Sequence, residues 1–87
     1  MITSGQATVG TATPVQIDGS SVNPIYLTVH NNDNTKVIYL GGTGVSTTTG
    51  LKLLKEETLQ FTINPGEALY AISASGNHVI SWLRQTV

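Results

Sequence analysis

The sequence predicts an all-β protein: a small antiparallel β-sandwich or jelly-roll-like barrel of about seven short strands. Three observations predict it. Apolar residues alternate with period two in one segment after another. Turn signals separate those segments at short, regular intervals. A sustained 3.6-residue period is missing. Composition agrees, because 13 Thr and 7 Ser stand among 87 residues while only 10% are charged. Thr suits a pleated, half-buried sheet surface, and neutral hydroxyls cost less to desolvate than charges.

The elements follow in order. "MITSGQATVGTA", residues 1–12, is small, polar and poor in apolar anchors. It is expected to be a flexible arm that orders on a partner, leaving residues 13–87 as one sandwich domain. "TPVQID" reads as a short strand ending at Asp18-Gly19-Ser20. "PIYLTVHN" puts Ile25, Leu27 and Val29 on one face and Tyr26, Thr28 and His30 on the other. "NNDN", Asn31 to Asn34, is a turn, since Asn and Asp tolerate left-handed backbone and bond their own amides. "KVIYLG" is apolar on both faces, as a central strand would be. Leu51–Leu54 is a strand and Lys55–Glu57 a charged turn. "TLQFTI" alternates cleanly, with Leu59, Phe61 and Ile63 on one side. "NPGE", Asn64 to Glu67, carries Pro and Gly in the type II turn positions. "ALYAIS" is a strand, "ASGN" a turn, and "HVISWLR" the last strand.

The same composition excludes several functions. Four Lys/Arg against five Asp/Glu give a net charge of −1. No basic footprint for nucleic acid exists. Without cysteine there is neither a disulfide framework nor a thiolate metal site. The N-terminal stretch lacks the basic start and apolar run of a signal peptide. No apolar run reaches the roughly 18 residues of a membrane span. The chain reads as soluble and made in the cytoplasm.

One segment invites a nucleotide-site reading: "YLGGTGVSTTTGLKL", Tyr39 to Leu53. The dinucleotide fingerprint requires a third glycine where Thr47 stands. The P-loop requires Lys directly after its second glycine, where Leu51 stands. A β pattern follows, so no helix N-terminus is present to hold phosphate. The segment is better read as a glycine-hinged crossover, with Gly41 and Gly42 supplying unusual backbone angles and the threonine tract bonding locally. That crossover could link two sheets.

Catalytic and metal constellations are not visible. His30 and His78 are the only histidines, and no ligand cluster surrounds either. His30 could pair loosely with Asp33. No serine occupies a nucleophile-elbow pattern, and the adjacent Glu56 and Glu57 suit a solvated turn better than a carboxylate pair. No cofactor is expected. Tyr26, Tyr39, Tyr70 and Trp82 raise the question of a sugar platform, against the plainer use of such rings in a core or interface. In the last strand, Val79, Ser81 and Leu83 face one way and Ile80 and Trp82 the other. Apolar residues on both faces of a strand in so small a domain suggest an oligomer that buries the second face. Tyr39, Ile80, Trp82 and Arg84 are the candidate interface residues.

From Val29 to Leu83 the chain resembles small β-sandwich proteins of tailed-phage virions, notably head decoration proteins. The matching pieces are Val29–Asn32, the "YLGG" strand and its continuation Tyr39–Gly44, the segment Thr47–Gly50, the "PGE-x-LYA"-like turn and strand Asn64–Ala71, and Val79–Leu83. These motifs are turns and strands, not catalytic groups. The resemblance implies a non-enzymatic role on the capsid surface of a virion. It implies the major capsid protein as partner, a homo-oligomer with a trimer favoured, and contact through an N-terminal arm and one end of the sandwich. No nucleic acid or membrane partner is expected. The alternative is a carbohydrate-binding or tail/fibre attachment module.

Overall fold

The computed structural model describes residues 2–19, 22–33 and 36–86. They form β1 (Ile2–Val9), β2 (Val15–Gly19), β3 (Ile25–Asn31), β4 (Ile38–Gly41), β5 (Leu51–Leu53), β6 (Thr58–Ile63), β7 (Ala68–Ser73) and β8 (His78–Thr86). Two four-stranded sheets result. Sheet A has the order β1-β8-β3-β6 and sheet B the order β2-β7-β4-β5. Every pairing is antiparallel.

The pairing scheme has a simple logic. β1 pairs with β8, β2 with β7, β3 with β6 and β4 with β5. The chain is therefore one long antiparallel hairpin whose tip lies between β4 and β5. Wrapping that hairpin places its successive rungs in alternate sheets. The β3–β8 and β4–β7 ladders then join the rungs sideways. This is the eight-stranded double-sheet jelly roll.

The seven expected strands are all present, and "KVIYLG" supplies β4, which is central as expected. The eighth strand is a correction. Ile2–Val9 falls in the segment expected to be an arm, yet it pairs with β8 without a break from Ile2↔Gln85 to Val9↔His78. The physical reason lies across the ladder. Gly5 faces Trp82, and a Cβ on Gly5 would stand 2.6 Å from Trp82 Cζ2. The indole fills the space a side chain at Gly5 would need, and the inner side of β1 carries Thr3, Gly5, Ala7 and Val9.

The core lies between the sheets. Ile25, Leu27 and Val29 of β3, Ile80 of β8 and Val9 of β1 meet Ile38 and Leu40 of β4, Leu53 of β5 and Leu69 and Ala71 of β7. Each buried Leu or Ile contributes about 1.5–3 kcal/mol. The turns hold the register. Glu67 N–H donates to the Asn64 carbonyl at 3.1 Å with Gly66 at φ +82°, the type II geometry read from "NPGE". In the charged turn, Glu57 N–H donates to the Leu54 carbonyl and Glu56 adopts φ +54°. The expected turn at Asn31–Asn34 and the one at Asp18–Ser20 each end outside the described residues.

Candidate interaction site

Alternation along four strands gives sheet A an outer face with a uniform chemistry. β3 turns Tyr26, Thr28 and His30 outward, and β8 turns Val79, Ser81, Leu83 and Gln85 the same way. Register aligns them in rows: Ile2, Gln85, Tyr26 and Thr62 form one, and Ser4, Leu83, Thr28 and Gln60 the next. Among the described residues, no Lys, Arg, Asp or Glu stands on this face. Ile2 is 65% exposed, Tyr26 50% and Leu83 48%. A shallow groove of about 370 Å³ runs between these three side chains and Gln85.

Several polar groups of the face already have partners. Gln60 Nε2 donates to Thr28 Oγ1 at 3.0 Å, Asn32 Nδ2 to Ser81 Oγ at 2.7 Å, and His30 Nδ1 lies 2.9 Å from Thr58 Oγ1. These groups keep their partners when the face is covered, which removes part of the cost of burying a polar surface. The face is chemically suited to contact with another protein.

Sheet B's outer face is arranged differently. The tip of the hairpin, residues 42–50, folds back over it. Val45 is 7% exposed and packs against Gly41 and Gly50. Ile72 points to the outside of sheet B beside Tyr39, yet it is 8% exposed. The loop is held by its hydroxyls: Ser46 Oγ lies 3.0 Å from both Thr48 Oγ1 and Thr49 Oγ1, and Gly50 N–H donates to the Ser46 carbonyl at 2.9 Å. The local bonding expected of the threonine tract is present, but as a turn. The expected crossover is corrected: the loop joins neighbouring strands of one sheet. The role of the glycines is corrected too. A Cβ on Gly41 would stand 2.7 Å from Val45 Cγ2, and one on Gly50 2.7 Å from Tyr39 Cβ, so those positions are glycine for lack of space. Only Gly44 in this loop adopts a positive φ, +80°.

The candidate interface residues are not brought together on a surface. Ile80 is 0% exposed and sits in the core. Trp82 packs on the core and on Gly5. Tyr39 is half-buried on the outer side of sheet B, beside Gly50. Arg84 points between the sheets, with Nε 3.3 Å from Oδ2 of buried Asp18. That contact is an ion pair off the hydrogen-bonding axis, since Asp18 Oδ2 accepts no hydrogen bond, while Oδ1 accepts from Gly19 N–H at 2.8 Å. The parity of the last strand is as expected, but its exposed side is Val79, Ser81, Leu83 and Gln85 rather than Ile80 and Trp82.

A polar cluster at one end of the sandwich was not foreseen. His78 Nδ1 lies 2.6 Å from Asp33 Oδ2, and Nε2 faces the Ser75 carbonyl. The pairing expected for Asp33 with His30 is therefore made with His78 instead. Asp33 Oδ1 also accepts from Lys36 N–H at 2.9 Å. Fully buried Asn31 donates through Nδ2 to the carbonyls of Lys36, Leu53 and Leu54 and accepts from Asp33 N–H. Both ring nitrogens of His78 are engaged, so neither faces a nucleophile. Ser75 takes part through its backbone carbonyl, not as the hydroxyl of a catalytic triad. The cluster ties the β3–β4 connection to the β5–β6 turn and to the start of β8. Among the described residues, no three His, Cys, Asp or Glu side chains converge as metal ligands.

These features define an eight-stranded jelly roll with one face closed by its own loop and one face bare. No protein-family model matches the chain, and no curated protein matches it in sequence. Its fold is similar to that of a solved protein from the Bacillus endospore appendages, described as a novel family of disulfide-linked pili. The superposition covers 99% of this chain and 88% of that one with a TM-score of 0.51 and 16% identity. At that identity the likeness shows a shared fold. The present 87 residues contain no cysteine, so they have no counterpart of the disulfides for which those pili are described.

Proposed function

We propose that this chain is a non-enzymatic structural subunit of an external protein assembly, and that it serves as a decoration protein on the head of a tailed-phage virion. The observation that carries the reading is the outer face of sheet A: free of formal charge, internally hydrogen-bonded, and bearing Ile2, Tyr26 and Leu83 exposed. Such a face is cheap to cover with protein. The fold it shares with a pilus protein supports a structural role. The sequence resemblance supports the virion head, with the major capsid protein as partner. His78, engaged at both ring nitrogens and, among the described residues, aligned with no nucleophile, supports a role without catalysis.

The test is imaging of purified virions with the protein present and deleted. The expected result is surface knobs on the heads that vanish on deletion, with heads that fall apart at milder heating. A protein absent from purified virions would overturn the reading.

Tyr26 favours a second reading. Its half-exposed ring, flanked by Gln85 and Thr62 over the shallow groove, has the makings of a neutral-sugar platform. A glycan array in which binding depends on Tyr26 would establish it, and an array without hits would remove it.

A further inference from the structure

The four edge strands of the sandwich are not alike. Sheet B's edges are guarded. β2 breaks register between Gln16 and Asp18 and carries the Asp18 carboxylate, while β5 is 3 residues long and carries Lys52. A bulge, a charge and shortness are the devices that keep a free edge from pairing with another chain. Sheet A's edges have none of them. β1 is an 8-residue strand and β6 a 6-residue strand. Neither contains a charged residue or proline, and both keep unbroken register with their inner neighbours. Among the described residues, no backbone group of Ile2–Val9 or Thr58–Ile63 has a backbone partner outside those ladders.

Another extended strand would pair the whole row of such an edge at once. Direction decides which one. β1 is antiparallel to β8, β8 to β3, and β3 to β6, so β1 and β6 run in opposite directions on opposite edges of one sheet. A second copy placed beside the first in the same orientation sets its β1 antiparallel to the first copy's β6. We infer that copies of this chain join head to tail, β6 of one to β1 of the next, into a continuous sheet A. The inference rests on the structural-subunit reading above and names how copies meet. Such a heterologous contact closes into a ring if its rotation closes and otherwise grows as a filament. It also extends the uncharged outer face from copy to copy, because that face belongs to the joined sheet.

The experiment uses two full-length variants, each guarding one edge with lysines on exposed, outward-facing positions. One carries Ser4→Lys and Thr8→Lys in β1, and the other Gln60→Lys and Thr62→Lys in β6. Mass is measured by light scattering on a sizing column across a concentration series. Wild type is expected to form rings or filaments and each variant alone a monomer. An equal mixture should form a heterodimer of twice the monomer mass and nothing larger, since one free β6 and one free β1 remain. The heterodimer also shows that both variants are folded. The inference is overturned if either variant assembles as wild type does, if the mixture stays monomeric, or if wild type is monomeric throughout. A wild-type monomer that is nonetheless found on virions would overturn the edge pairing and leave the structural reading intact. Self-assembly without incorporation into virions would do the reverse.

Discussion

The outer faces of the two sheets differ in who covers them. On sheet B the chain does it itself: residues 42–50 return over the strands, Val45 fills the space above Gly41 and Gly50, and Ile72 is buried although it points outward. On sheet A nothing in the described chain returns, and Ile2, Tyr26 and Leu83 stay exposed among hydroxyls and amides. Exposed apolar surface is therefore not a general looseness of this small domain. One face is closed with space-saving glycines, whereas the other is left open and made inexpensive to cover. A partner is therefore expected on sheet A.

The comparison can be broken by substitution. The largest effect is expected at Gly41→Val, which would force side-chain atoms into Val45. The expected loss is about 2–3 kcal/mol by overpacking, measured by denaturant unfolding. Gly42 is the control within the same loop, because a Cβ there meets nothing within 4 Å. Gly42→Ala should leave stability within about 0.5 kcal/mol. An equal loss at both positions would show that the loop does not pack as described. Next in size is Val45→Ala, which leaves the space above Gly41 and Gly50 unfilled and should cost about 1–2 kcal/mol in the same assay. The smallest effect on folding belongs to sheet A. The double variant Tyr26→Ser, Leu83→Ser should change stability by less than about 1 kcal/mol, since both side chains are exposed, yet it should weaken incorporation into the assembly. A large unfolding effect there would mean that the face already supports the fold and is not held in reserve.

How much of this was legible in the sequence depends on distance along the chain. Local pattern suffices for the seven strands, for the "NPGE" turn and for the alternation of β3 and β8, because each is set by neighbouring residues. β1 was hidden, because its inner positions are Thr3, Gly5, Ala7 and Val9, and the bulk that completes them belongs to Trp82 at the other end of the chain. The sign of β8 was hidden for a related reason. Alternation separates Ile80 from Val79, but only the packed sheets show that Ile80 is the inner one. Ile80 and Trp82 therefore lie on the packed side of that strand. Asp33 illustrates the limit again: His30 is near in sequence, but folding brings His78 to it. Gly41 was recognised as structural, though for backbone freedom rather than for the room Val45 takes.

Tyr26 and Tyr39 report on the two faces, and one measurement reads both. Hydroxyl-radical footprinting compares the oxidation of Tyr26 and Tyr39 in the free protein and in the assembled particle. Tyr26 should be oxidised readily in the free protein and protected several-fold in the assembly, while Tyr39, half-buried on sheet B, should be oxidised to the same extent in both. Undiminished oxidation of Tyr26 in the assembly, or new protection appearing at Tyr39 instead, would contradict the assignment of sheet A as the face that meets the partner.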